Sequence, residues 1–183
     1  PREHLVTTSG ARPNDLLVLT KGIAIEGTAI IAREWGAALA GQVDAETLAR
    51  CAAFLHDTGI SVVRDAAVVL RAAPAGVHAM HDPTEGGVAT GLHELALASG
   101  CGLQVDAPLP VLPETSMLCD LAGLDPLGLI ASGSLLAAVA PDALEAVLQA
   151  LEAEGIASAV IGRVLAPEAG VWMSVVDGRR PLP

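Results

Sequence analysis

The sequence predicts an α/β fold in which helices pack on a mixed sheet. Three observations carry that prediction. Short aliphatic runs of strand length alternate with longer helix-forming stretches. Proline, glycine or asparagine marks most of the junctions between them. The 183 residues suit one domain, large enough to bury a core without staples, and that core must be aliphatic, since Trp35, Phe54 and Trp172 are the whole aromatic complement.

Residues 1–13 read as an exposed leading segment, and numbering that starts at Pro1 leads us to expect a preceding domain. Residues 15–20 (DLLVLT) form a strand, introduced by the turn Arg12-Pro13-Asn14 and ended by Lys21-Gly22. A helix is expected over 28–40. A second covers 45–56, with Asp44 as its cap and Glu46 in its first turn, and is broken by Asp57-Thr58-Gly59. A third covers 61–73, with Val62, Val69 and Leu70 inward. Pro74-Ala75-Gly76 turns the chain into a strand over 77–80, and a helix opens at Asp82 and closes at Gly100. A strand over 103–106 leads through Pro108, Pro110 and Pro113 to a helix over 115–122. A buried strand over 134–140 precedes a helix over 141–154, started by Pro141 and stopped by Gly155. Strands over 157–165 and 171–176 and a turn at Asp177-Gly178 complete the pattern, with no internal repeat.

A formal net charge of −11 disfavours nucleic acid and anionic membranes as partners, and the scarcity of aromatics disfavours base stacking. It leaves room for a nucleotide held through Mg²⁺, because the metal supplies positive charge. Cys51, Cys101 and Cys119 form an odd set without metal-type spacing, as expected of a reduced, cytoplasmic protein. No apolar run approaches the ~20 residues of a membrane span.

Asp82-Pro83-Thr84-Glu85-Gly86-Gly87 follows a strand and opens a helix. One reading is a capping box with Asp82 at the cap, Pro83 at the first helical position and Glu85 at the third. The other is a phosphate site. Two adjacent glycines cost roughly 0.8–1 kcal/mol each against alanine inside a helix, and they suit a backbone that something must approach closely. A helix amino-terminus binds anions, and Asp82 could hold Mg²⁺ against phosphate oxygens. Spacing alone leaves both open. The joint from Lys21 through Gly22 and Gly27 to Thr28 has the glycine offset of a phosphate loop, but its lysine is misplaced and no Lys-Ser/Thr pair follows Gly27. It reads as a structural turn from which Lys21 and Thr28 could still face a ligand. Ala131-Ser132-Gly133-Ser134 reads as a turn. His78, His81 and His93 do not form a joint metal site, because a strand sends alternate side chains to opposite faces.

The stretch Val77-His78-Ala79-Met80-His81-Asp82-Pro83-Thr84-Glu85-Gly86-Gly87 is similar to the Asp-Pro-Thr-x-Gly-Gly segment of the hydrogenase maturation factor HypE. The LAGLDPLGL run at 121–129, Ile161-Gly162-Arg163-Val164, Arg12-Pro13-Asn14-Asp15 and the Gly22 to Gly27 joint resemble further segments of that family, in the same order over nearly the whole chain. HypE belongs to the AIR-synthetase superfamily with aminoimidazole ribonucleotide synthetase, selenophosphate synthetase and thiamine-monophosphate kinase. The resemblance implies a three-layer α/β/α carboxyl-terminal domain over residues 14–183, preceded by an interdomain segment over 1–13. It also implies an absent amino-terminal domain that supplies most nucleotide contacts, and a cytoplasmic homodimer using ATP and Mg²⁺ when full length.

The same resemblance gives Asp82 a Mg²⁺ and phosphate role, with Thr84, Gly86, Gly87, Lys21, Gly22 and Gly27 around the nucleotide. It further implies a small-molecule or protein-tail substrate, phosphorylated on oxygen, and a maturation-factor partner. This chain departs from HypE at Glu85, where arginine is usual, and at Ala131-Ser132-Gly133, where Asn-Glu-Gly is usual. HypE also ends in a cysteine that receives a carbamoyl group, whereas no cysteine follows Cys119 here. A HypE-like paralogue is therefore expected, with the alternatives of a non-catalytic binding or scaffolding paralogue or another activity of the superfamily.

Overall fold

The computed structural model describes residues 5–106, 108–175 and 178–183. Their centre is β1 (Leu16–Thr20), whose side chains alternate between two cores as a period of two demands. Leu17 and Leu19 enter one cluster and Val18 the other, and all three are fully buried. A strand covered on both faces reads as an unbroken apolar run, which is why LLVLT was legible.

The other strands are β2 (Val77–His81), β3 (Gly102–Asp106), β4 (Leu136–Val139), β5 (Ser158–Leu165), β6 (Val171–Val175) and β7 (Gly178–Pro181). They form one sheet in the order β2-β4-β1-β5-β3-β6-β7. All neighbours run antiparallel except β3 and β6. The sheet is mixed, as expected.

Helices α4 (Val63–Ala72) and α7 (Leu144–Ala153) cover one face, with Val68, Val69, Val147 and Leu151 packed on Val18, Ala137 and Val139. On the other face α5 (Gly87–Ser99) sets Val88, Leu92 and Leu95 against Leu17, Leu103 and Leu136. These are the three layers. A satellite cluster joins α1 (Ile25–Glu34), α2 (Gly36–Leu39), α3 (Ala45–Ala53) and α6 (Pro113–Ala122) around Ile31, Leu39, Cys51 and Leu118.

Several expectations need correction. The helix expected over 28–40 begins at Ile25 and breaks at Trp35, whose ψ of 1° leaves the helical range. The α3 helix is capped by Asp44 as expected, through Thr47 N–H at 2.8 Å, but ends at Ala53 and gives way to a π-helical turn, Leu55–Gly59. Pro141 does not start α7, which begins three residues later. β7 was not anticipated. Asp177 of the expected turn, Val176 and residues 1–4 lie outside the described residues.

The leading segment is docked rather than exposed throughout. Met80 N–H donates to Thr7 C=O at 3.4 Å, and Thr8 Oγ1 donates to Met80 C=O at 3.3 Å, so the segment runs along the edge strand β2. Ser99 Oγ on α5 donates to Thr8 C=O at 2.9 Å, which anchors it from the other side.

Candidate functional site

The expected site residues converge at one end of the sheet, where β1 and β2 finish and β4 and β5 begin. The first group follows β1. Lys21 and Ala24 both take positive φ, 62° and 57°, which L-residues adopt at a cost of roughly 1–2 kcal/mol each. Three backbone carbonyls and one side-chain hydroxyl hold the chain in that shape. Thr20 N–H donates to Leu135 C=O at 3.0 Å, Lys21 N–H to Ala157 C=O at 2.7 Å and Ile23 N–H to Pro110 C=O at 3.0 Å. The buried Ser134 hydroxyl donates to Gly22 C=O.

Asp65 lies beneath this joint, its side chain 2% exposed. Thr20 Oγ1 donates to Asp65 Oδ1 at 2.6 Å and accepts from Leu135 N–H at 3.0 Å. Lys21 Nζ lies 3.3 Å from Asp65 Oδ2 and donates to the carbonyls of Ser61 at 2.9 Å and Gly59 at 3.3 Å. An ammonium has three donors, so Lys21 is engaged by the chain itself. Sequence reasoning did not select Asp65. A signal existed, because Asp65, Val68 and Val69 occupy positions i, i+3 and i+4 and place a carboxylate on an otherwise apolar helix face.

The second group follows β2, and here the capping-box reading fails. Asp82 is not the helix cap, and Pro83 and Glu85 are not helical. The α5 helix starts at Gly87, behind a left-handed Gly86 that makes no side-chain cap. The reason is the pair of glycines, both at positive φ (73° and 67°), a left-handed turn that keeps the residues before it out of α5, which opens only at the second of them. They carry the chain around a turn in which Gly87 N–H donates to Thr84 C=O at 3.2 Å and Thr84 Oγ1 to Asp82 C=O at 3.1 Å.

The glycines also have a packing role that spacing did not reveal. A Cβ on Gly87 would sit 2.3 Å from Leu127 O and 2.7 Å from Leu129 O. One on Gly27, inside α1, would sit 2.3 Å from Leu129 Cγ, and one on Gly22 3.3 Å from Pro110 O. Hydrogen bonds reinforce the contact. Ala89 N–H donates to Leu127 C=O, Ala131 N–H to Thr84 C=O and Gly27 N–H to Ile130 C=O, each at 3.1 Å. The space beside Gly27 and Gly87 is thus filled by residues 127–130. Thr28 is likewise occupied, its buried hydroxyl bonded to Ala24 C=O and Thr115 Oγ1, both at 2.7 Å. Gly86 differs: it is exposed, and a Cβ there would meet only the Thr90 side chain, at 2.2 Å from its hydroxyl oxygen.

Asp82 itself is exposed, with no ion-pair partner among the described residues. The protein around it still displaces enough water to raise its pKa above the ordinary carboxylate value. His81 and Lys21 oppose that rise, while Asp65 and Glu26 add to it. Asp82, Lys21, Asp65 and Glu26 therefore share one electrostatic neighbourhood. No cluster of three or more His, Cys, Asp or Glu suited to a metal occurs among the described residues. The donor set fits Mg²⁺ shared with phosphate oxygens and water, which needs only one or two carboxylates, and does not fit an ion caged by protein alone.

The histidines have separate partners. His78 Nδ1 meets Asp15 Oδ1 at 2.8 Å, His81 Nε2 meets Glu94 Oε2 at 2.8 Å, and His93 Nε2 meets Leu182 C=O at 3.3 Å. No helix among the described residues is long and apolar enough to cross a membrane.

Comparison with known proteins agrees with the fold and the motif order. The carbamoyl dehydratase HypE of Rhodobacter capsulatus is 36% identical over 162 residues, covering 87% of this chain and 44% of its own length. A crystal structure of Escherichia coli HypE, a hydrogenase maturation protein, superposes with a TM-score of 0.75 at 28% identity, covering 98% of this chain and 53% of that one. A HypE crystallised with ATP gives 0.70 at 26% identity, over 97% of this chain and 52% of that one. The chain thus spans about half the length of these relatives. Residues 12–173 match the family described as AIR synthase related protein, C-terminal domain, and the chain belongs to that family.

Proposed function

We propose that this chain is the carboxyl-terminal half of a HypE-like, ATP-dependent enzyme that activates an oxygen of its substrate by phosphorylation. One observation carries the reading. Asp82 is a carboxylate without an ion-pair partner among the described residues, set at a sheet end and raised in pKa by desolvation, so a cation brought to it relieves a standing electrostatic cost. The HypE relative crystallised with ATP supports a nucleotide as the source of that cation's phosphate ligands. Mg²⁺, when bound, would neutralise charge on the transferring phosphoryl group.

In this reading Asp82 would hold the metal, and Gly86 would leave its backbone open on the ligand side. Thr84 would fix the turn through Asp82 C=O. Lys21, Gly22, Gly27 and Gly87 would hold their turns in place from behind. The acceptor oxygen forms a bond to the γ-phosphorus while the bond to the β–γ bridging oxygen breaks. ADP leaves with that electron pair, and the acceptor's proton passes to solvent. Residues 1–13 would link to a preceding ATP-binding domain, and the full protein would be a cytoplasmic homodimer acting with a maturation-factor partner.

The test is calorimetric titration of Mg-ATP, with ATP hydrolysis, on the full-length protein and its Asp82→Ala variant. Loss of binding and turnover in the variant is expected, and unchanged values would remove Asp82 from the site. A second reading, a binding or scaffolding paralogue, is favoured by Glu85 and by the full engagement of Lys21. It predicts no Mg-ATP binding by the unmutated protein.

A further inference from the structure

The sheet is covered unevenly. The apolar cluster under α4 and α7 takes its strand residues from β1, β2 and β4 and none from β3, β5, β6 or β7. On those four strands Leu103, Val105, Val164 and Met173 point into the cluster beneath α5, so the alternate residues stand on the opposite face. That face is open. Val160 is 43% exposed although β5 has a strand on either side, Arg163 and Arg179 are exposed, and Trp172 is half-buried.

Strand register orders these side chains. Arg163 on β5, Gln104 on β3 and Trp172 on β6 lie in one row across the sheet. Arg179 on β7 stands opposite Ser174, the next residue of β6 on the same face as Trp172. Its guanidinium carbon lies 5.2 Å from the centroid of the Trp172 ring, within cation–π range. Trp172 Nε1 is buried with no acceptor among the described residues, whereas a tryptophan settled in a core usually finds one.

The charges select the partner. Asp106 is the one acid in these four strands, and its Oδ1 accepts from Gln104 Nε2 and Ser174 Oγ, each at 3.0 Å. Neither Arg163 nor Arg179 has an ion-pair partner among the described residues. Two unpaired guanidiniums thus flank a tryptophan on a chain whose net charge is −11. Guanidinium forks suit carboxylates, and tryptophan and arginine are the side chains on which binding energy most often concentrates. A nucleic acid would meet the same arginines, but also the repulsion of the whole chain. Pro181 and the arginines of β7 oppose addition of a strand at its outer edge, so the face rather than the edge is the surface offered.

We propose that this open face docks an acidic segment of a partner protein, an extended stretch whose carboxylates pair with Arg163 and Arg179 on either side of an apolar residue laid on Trp172. β5 and β7 are three strand spacings apart, about 14 Å. Carboxylates four residues apart in an extended chain share one face and span about 13 Å. This docking requires no phosphoryl transfer and is tested separately from it.

The experiment is an NMR titration of the 183-residue chain with the peptide acetyl-Glu-Ser-Leu-Ser-Glu-amide at low salt, the Trp172 indole signal being assigned with Trp35→Phe. Saturable shifts are expected at the Trp172 indole N–H and at the amides of Gln104, Arg163 and Arg179. Glutamine in place of both glutamates should weaken the peptide about tenfold, and added salt should act in the same direction. Arg163→Gln and Arg179→Gln, both at exposed positions, should each weaken it about threefold while the amide shifts of α4 and α7 stay unchanged. No saturable shift, equal binding of the glutamine peptide, shifts centred elsewhere, or undiminished binding by both variants would overturn the docking site. A concentration-dependent dimer in sedimentation that either variant dissociates would also overturn it, because the face would then belong to a second copy of this chain.

Discussion

Replacing Gly87 with alanine separates a packing role for the turn's glycines from a ligand-facing one. Holding alanine at φ +67° costs about 1–2 kcal/mol. The added Cβ would lie 2.3 Å from Leu127 O and 2.7 Å from Leu129 O, and backbone oxygens cannot rotate away as a side chain does. Relief requires residues 127–129 to move, at an overpacking cost of about 1–3 kcal/mol. It also weakens the Ala89 to Leu127 hydrogen bond, a further ~0.5–1.5 kcal/mol. The sum is about 4 kcal/mol, or about 8–16 °C in Tm for a domain of this size.

Two other glycines calibrate the result. Gly86→Ala meets only a rotatable Thr90 and should cost about 1–2 kcal/mol. Gly100→Ala, at φ +61° with nothing within 4 Å, should cost about 1 kcal/mol. Urea unfolding followed by circular dichroism measures all three. If Gly87→Ala falls within about 0.5 kcal/mol of Gly100→Ala, packing against residues 127–129 does not explain this glycine.

Other perturbations test the electrostatics. Asp65→Ala strands the Lys21 ammonium and should lower stability by about 3–5 kcal/mol, whereas Lys21→Met combined with Asp65→Leu should recover most of it, as read from urea midpoints. Asp82 has a raised folded-state pKa, so its contribution favours folding below the ordinary carboxylate pKa of about 3.9 and is lost as pH climbs through the folded value. Asp82→Asn should therefore match the parent Tm near pH 3 and exceed it at pH 7; a lower Tm at pH 7 would contradict the sign. Burial raises all three thiol pKa values, and Cys51 and Cys119 are 0% and 1% exposed. A thiol reagent at pH 8 should label Cys51 and Cys119 only as the chain unfolds, and rapid native labelling of either would contradict their burial.

Elements driven by local patterning were legible in the sequence. The DLLVLT run announced a strand, and Asp44 announced the start of α3. What failed was settled by contacts distant in sequence. Nothing near Gly86-Gly87 tells that residues 127–129 occupy the space beside them, so a capping box seemed adequate to the acids and proline. A π-helical turn stands after α3 where a simple break was expected, and at its end Gly59 and then Ser61 turn their carbonyls to Lys21, some forty positions earlier. β7 escaped notice because Arg179-Arg180 lacks β-forming residues, and its strand character comes from pairing with β6. Asp65 could have been found, since it interrupts an apolar helix face. Lys21, Asp82 and the Gly22 to Gly27 joint were singled out as ligand-facing candidates; their placement at one sheet end, and which of them the chain itself engages, could not be read from their spacing.

The wall formed by residues 127–130 has a mechanical consequence. The joint after β1 and the joint after β2 both lean on the same short segment and are pinned to it at the helix starts that follow them, by Gly27 N–H and Ala89 N–H. Neither can swing without dragging the segment, and the segment cannot move without dragging the other. This end of the domain therefore behaves as an anvil, its two turns and the segment between them moving as one piece.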